Sequence, residues 1–289
     1  MKAKAVTLIL CYFLLLVKLA SAHPAIGIVM DSKGVVYYTD LLHVWKISPD
    51  GSHTIAVKNV HTHQLYLDKE DNLYGEHSWY EGEATDQWGH YIWRLNNDGE
   101  LEYTVPRTEG LPVNNTLIRD HESNEYWTEK FGTHEVIKKK TANGEIDLHT
   151  DHRFQDIRWI CTSREGKDLY VIDHLTLKKV SAKGQVVNIT DNLKESSPPF
   201  FSVSDHHYLM GVWTDAEAYI YVAVFGARKV KRITPEGKVE TVLEAPENWS
   251  PTGGLVASDS SLWVLEFSRQ NKARVRKVSP DGKILIFQT

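Results

Sequence analysis

Six times along the chain an alternating apolar and polar run leads into a tight glycine turn and resumes beyond it. The turns are Pro49-Asp50-Gly51, Asn97-Asp98-Gly99, Ala142-Asn143-Gly144, Ala182-Lys183-Gly184, Pro235-Glu236-Gly237 and Pro280-Asp281-Gly282. Runs such as Val44-Trp45-Lys46-Ile47 precede them, and runs such as Lys238-Val239-Glu240-Thr241-Val242-Leu243 follow. Glycine between alternating runs predicts a β-hairpin, because it takes the positive φ of the turn without steric cost. Upstream of each turn lies a second strand, for instance Leu73-Tyr74-Gly75-Glu76-His77 or Leu169-Tyr170-Val171-Ile172-Asp173. A further short apolar strand comes before that, as in Ile26-Gly27-Ile28-Val29-Met30. No long stretch keeps a helical period of 3.6.

Successive turn glycines lie 48, 45, 40, 53 and 45 residues apart. Four strands per unit in six units predict an all-β fold, a six-bladed β-propeller of four-stranded antiparallel blades over residues 23–289. An open stack of such sheets would leave apolar faces bare at both ends, whereas a ring covers them. The repeat begins on an innermost strand and ends on an outermost one at residues 284–287. Ring closure should therefore rest on packing of blade one against blade six, with no strand exchanged.

The repeat resembles the NHL-repeat and SMP-30/gluconolactonase-like propellers, a group that includes the streptogramin B lyases. Pro251-Thr252-Gly253-Gly254 followed by Leu262-Trp263-Val264-Leu265-Glu266 is similar to a phrase of the lyases. Where those lyases carry a His two residues after that Glu, this chain has Ser268. The Glu-Gly-Pro opening of gluconolactonases is absent. The resemblance implies a propeller whose funnel works on a small molecule, by hydrolysis of a lactone or ester or by elimination.

Residues 1–22 open with Met-Lys-Ala-Lys, continue through an apolar run and end on Ala20-Ser21-Ala22, the pattern of a secretory signal peptide. The expectation is a secreted protein, extracellular or periplasmic, with His23 as its first residue and no membrane span after cleavage. Of 2 Cys in the chain, Cys11 lies in that leader, so no internal disulfide is expected and stability must come from the core. Hydrophobic residues make up 42% and charged residues 25%, which excludes a disordered chain. A formal net charge of -5 argues against nucleic acid as a partner. Asn114, Asn188 and Asn248 open glycosylation sequons, relevant only in a eukaryotic secretory pathway.

The excess is in histidine, 14 in all. Aligning the blades puts His23, His61, His63, His77, His174 and His207 at the face where inner strands begin and second strands end. Loops from every blade converge there on one concavity, the usual place for a propeller site. Asp40, Glu129, Asp173 and Glu266 recur at the second-strand ends and read first as hydrogen-bond acceptors for neighbouring blades. Imidazole and carboxylate together also suit a divalent ion. His23, His63, His77, Glu129 and Glu266 are therefore candidate metal ligands, for Ca, Mg, Zn or Cu. His77, where other blades carry an acid, and His174 are candidate catalytic groups, with Arg158 to hold an anionic part of the ligand. After cleavage the α-amine and imidazole of His23 would form a two-nitrogen clamp for copper.

A 13-residue loop at 78–90 suggests a lid or binding wall, and Trp79, Tyr80, Trp88, Phe200 and Phe201 could stack on a sugar ring. No GxSxG, HExxH, CxxC or phosphate-loop motif is present. Two functions from different classes follow. One is a metal-dependent hydrolase or lyase for a small organic or saccharide-like ligand; the other is a non-catalytic ligand- or protein-binding propeller.

Overall fold

The computed structural model describes residues 24–110, 117–163 and 166–289. The leader, His23 and Asn114 lie outside the described residues. Six antiparallel sheets follow one another along the chain, each made of consecutive strands. Blade one holds β1 (Ile28–Met30), β2 (Val36–Thr39), β3 (His43–Ile47) and β4 (His53–Lys58). Blade two holds β5 (Leu65–Leu67), β6 (Leu73–Tyr80), β7 (Trp88–Leu95) and β8 (Leu101–Glu109). Blade three holds β9 (Glu125–Phe131), β10 (His134–Lys140) and β11 (Ile146–Leu148). Blade four holds β12 (Ile157–Thr162), β13 (Leu169–Asp173), β14 (Thr176–Val180) and β15 (Val186–Thr190). Blade five holds β16 (Val212–Thr214), β17 (Ile220–Val224), β18 (Lys229–Ile233) and β19 (Val239–Glu244). Blade six holds β20 (Trp249–Val256), β21 (Leu262–Ser268), β22 (Ala273–Val278) and β23 (Ile284–Gln288).

The fold is thus the expected six-bladed propeller, and among the described residues no strand is shared between blades one and six. One blade departs from the pattern: among the described residues the inner strand of blade three is reduced to a bridge between Arg119 and Glu125. All six turn glycines have positive φ, from 77° at Gly184 to 90° at Gly237, as their hairpins require. The predicted long loop after His77 is mostly ladder. β6 and β7 pair out to Tyr80 and Trp88, whose rings lie 4.5 Å apart, and Trp79 faces Gly89 directly. These cross-strand contacts extend the hairpin and confine the turn to residues 81–87.

The core lies between blades. Tyr170, Ile172 and Leu177 meet Val212, Ile220 and Val222 between blades four and five. Ile28, Tyr38 and Ile47 meet Trp263, Leu265 and Phe267 where blade six closes on blade one. Comparable clusters fill the seams between blades five and six, three and four, and one and two. Among the described residues the seam between blades two and three has no such cluster. Its contacts include Arg119 over the Tyr66 ring at 5.7 Å.

A second repeat fastens the turns between first and second strands. Asp31, Asp68, Asp120 and Asp215 each accept backbone N–H groups two and four residues on. Their other carboxylate oxygens accept the hydroxyls of Tyr37, Tyr74, Tyr126 and Tyr221, six residues on in each case. The aspartate closes the turn, and the tyrosine carries the bond into the next strand.

Candidate functional site

At the opposite face, where inner strands begin, strand register sets one level around the axis. Ile26, His63, Arg158, Met210 and Thr252 share that level in blades one, two, four, five and six. Directly below, Gly27, Gln64, Trp159, Gly211 and Gly253 help line an axial channel of about 260 Å³. Glycine is required at Gly211 and Gly253 because neighbouring inner strands approach closely. Gly211 donates to Thr252 O at 2.8 Å, and a Cβ on Gly253 would run into Ile26 O. Only His63 and Arg158 bring ionisable groups to this level among the described residues.

His63 is backed by a buried carboxylate. Glu76 is 8% exposed. Its Oε1 accepts the His63 N–H at 2.5 Å and lies 3.3 Å from His63 Nδ1. The Gln64 N–H reaches the same carboxylate at 3.3 Å. Glu76 occupies the β6 position where other blades place Thr39, Thr128, Ile172, Ala223 and Leu265. A carboxylate there is the exception, and sequence reading missed it; its place among apolar and threonine counterparts was the available signal. The imidazole is 35% exposed and meets the His61 ring edge-on at 4.7 Å, and among the described residues its Nε2 has no hydrogen-bond partner.

His77 has a different role. Its Nδ1 accepts the His61 N–H at 2.8 Å, and its ring stacks on Tyr91 at 4.7 Å. In blade four the Asp173 carboxylate accepts the equivalent N–H, from Asp156 at 2.9 Å. His77 therefore performs the fastening duty of the repeat. Burial, then the neighbouring His61 and Arg107, pull its pKa below the usual imidazole value, which keeps it neutral. His61 is likewise pulled down, by burial and by His63.

The candidate carboxylate ligands are engaged elsewhere. Glu266 is fully buried and pairs with Arg274 at 2.6 Å and Arg276 at 3.0 Å. Glu129 is exposed on β9 and lies 3.8 Å from Lys138. Among the described residues no three His, Cys, Asp or Glu side chains gather as a metal-ligating group. The expected set of His63, His77, Glu129 and Glu266 is thus not brought together, and its carboxylates are spent on cations. These residues do not fit a metal centre. His23, the remaining member of the set, lies outside the described residues.

His174 and His206 both face Asp156 at the rim between blades four and five. Asp156 accepts from His206 Nδ1 at 2.7 Å, and its Oδ2 lies 4.0 Å from His174 Nδ1. His207 stacks edge-on against His206 at 4.5 Å. Glu135 from blade three accepts the Ile157 N–H, and burial raises its pKa. The predicted aromatic platform is divided. Phe200 is buried against Phe225, whereas Tyr80 and Trp88 are 42% and 45% exposed at the tip of blade two. Beside that tip a recess of about 240 Å³ is lined by Trp79, Glu81, Trp88 and Arg107, among others. Among the described residues no helix is long and apolar enough to cross a membrane.

Comparison with known proteins agrees with this geometry at the level of fold. Residues 159–265 match the family described as the SMP-30/Gluconolactonase/LRE-like region. No curated protein sequence matches the chain. Among solved structures, virginiamycin B lyase from Staphylococcus aureus is 14% identical with a TM-score of 0.51, covering 92% of this chain and 85% of its own. A gluconolactonase from Xanthomonas campestris is 13% identical with a TM-score of 0.54, covering 93% and 87%. A luciferin-regenerating enzyme is 14% identical with a TM-score of 0.58, covering 84% and 83%. At these identities the likeness concerns the fold.

Proposed function

We propose that this SMP-30/gluconolactonase-like six-bladed propeller is a hydrolase for a small lactone or ester bound in its funnel. The observation that carries the reading is the His63–Glu76 pair, a free imidazole edge at the channel mouth backed by a buried carboxylate. The gluconolactonase-type match over residues 159–265 supports lactone over other acyl substrates. Ser268, at the place of the lyases' histidine, makes elimination the weaker choice.

In this reading Glu76 holds His63 with Nδ1 toward the carboxylate, leaving Nε2 to accept a proton. A water beside Nε2 attacks the acyl carbon; its proton passes to His63 as the new C–O bond forms. The ring C–O bond then breaks, and the proton returns to the departing alkoxide oxygen. The product is a hydroxy acid, with no other reactant required. General base catalysis of this kind contributes about 10²–10⁴-fold. These steps use no metal, since among the described residues the candidate ligands are not gathered. Secretion through residues 1–22, and a copper clamp at His23, stand as further proposals resting on sequence alone.

The test is a screen of γ- and δ-lactones of sugar acids and of aryl esters, read by proton release at constant pH. Turnover should be present in the native protein and fall by about 10²-fold or more in His63→Gln. Binding of these compounds without turnover would instead support a ligand-binding propeller.

A further inference from the structure

We infer that Arg158 is a binding site for a monocarboxylate at the mouth of the funnel. The inference goes beyond the hydrolase reading and does not depend on turnover. It begins with the backbone: Ile157 pairs with Asp173 and Trp159 with Ile172, so Arg158 is the extra residue of a β-bulge. A bulge re-aims the side chain it carries, and here it does so on an inner strand, level with His63.

The guanidinium thus placed lacks the partner that burial demands. Nη2 lies 3.4 Å from Met210 Sδ, and the buried Nε has no hydrogen-bond partner. No carboxylate among the described residues lies within ion-pairing distance. The nearby acids are committed: Asp156 to His206, Glu135 to the Ile157 N–H, Asp173 to Lys178 at 3.5 Å. The same chain shows how it treats a structural arginine in its interior. Arg274 and Arg276 both meet the buried Glu266. A half-buried guanidinium without a counter-ion is partly desolvated, and a bound anion offsets that cost.

The chemistry of the anion follows from the surroundings. The planar fork of a guanidinium matches the two oxygens of a carboxylate. Asp156 and Glu135 stand close by, so a singly charged anion is accommodated where a dianionic phosphate would be repelled. The channel below provides about 260 Å³ for the rest of the molecule. A hydroxy acid, the product class of lactone hydrolysis, has the required head group.

The experiment measures binding of gluconate and acetate by calorimetry at pH 7, together with thermal stability, for the native protein and for Arg158→Met and Arg158→Lys. Gluconate should bind the native protein and raise its Tm. Arg158→Met should weaken that binding by about tenfold or more, the loss of one charge-assisted hydrogen bond, without lowering the unliganded Tm. Arg158→Lys should retain part of the affinity, as a point charge without the fork. His63→Gln should keep gluconate binding even where turnover is lost, which separates this site from the hydrolase reading. Gluconate binding equal in Arg158→Met and the native protein would overturn the assignment. So would the absence of binding to the native protein, or a fall of several degrees in the unliganded Tm of Arg158→Met.

Discussion

His63 and His77 belong to the same blade, yet only one has a free edge. His77 gives its Nδ1 to a backbone N–H and its face to Tyr91; His63 keeps Nε2 open and has Glu76 behind it. The repeat made His77 conspicuous in the sequence because it stands where Asp173 and Glu266 stand. The structure shows that an imidazole nitrogen can do the same fastening as a carboxylate oxygen. Glu76 was illegible for the converse reason: a charge in mid-strand becomes visible only when register puts it beside threonine and apolar counterparts. Cys161 gives a prediction at this scale. Burial pushes its thiol up to about 12, so little thiolate exists at pH 8. Cys161 should resist a disulfide reagent in the native protein and react at once in denaturant, with the site read by peptide mass. Rapid native labelling would contradict the raised thiol pKa.

Among the elements, hairpin turns were fully legible, since each needs one residue at positive φ and the sequence supplies glycine. The Asp–Tyr fastening between first and second strands escaped notice, although its spacing recurs in four blades. The extended hairpin of blade two also read as a loop, because aromatic side chains rather than alternation hold it. Removing one fastening should be measurable. Tyr126→Phe should cost about 1 kcal/mol, and Asp120→Ala about 2–3 kcal/mol, because it strands the Asn124 amide and the Tyr126 hydroxyl together. Urea unfolding checks both; equal costs would contradict a shared carboxylate. The turns differ too. Gly51→Ala meets open space and should lose about 1 kcal/mol for its positive φ alone. At Gly184 a Cβ would strike His149 O, so Gly184→Ala should lose at least ~2 kcal/mol.

For the whole molecule, ring closure between blades six and one is an apolar seam like the others, whereas among the described residues blades two and three meet with less. Hydrogen exchange should accordingly open first along the facing strands of blades two and three, and latest around Leu265 and Tyr38. Uniform protection around the ring would contradict that order. Acid sensitivity is a property of the ensemble as well. Burial holds His53, His61, His77, His149 and His152 below their ordinary value of 6.5. The unfolded chain takes up protons below about pH 6.5 that the native chain refuses, so their contribution is present above that pH and lost as pH falls. Tm should drop steadily from pH 7 toward pH 5; a flat profile would contradict the buried neutral state.

The funnel as an acid–base site is most directly tested by kcat/KM for lactone hydrolysis in the native protein, His63→Gln and Glu76→Gln at one constant pH. His63→Gln should lose about 10²-fold of the rate. Glu76→Gln should lose less, because the imidazole remains and only its orientation is weakened. Native-like kcat/KM in His63→Gln would contradict a base at the channel mouth.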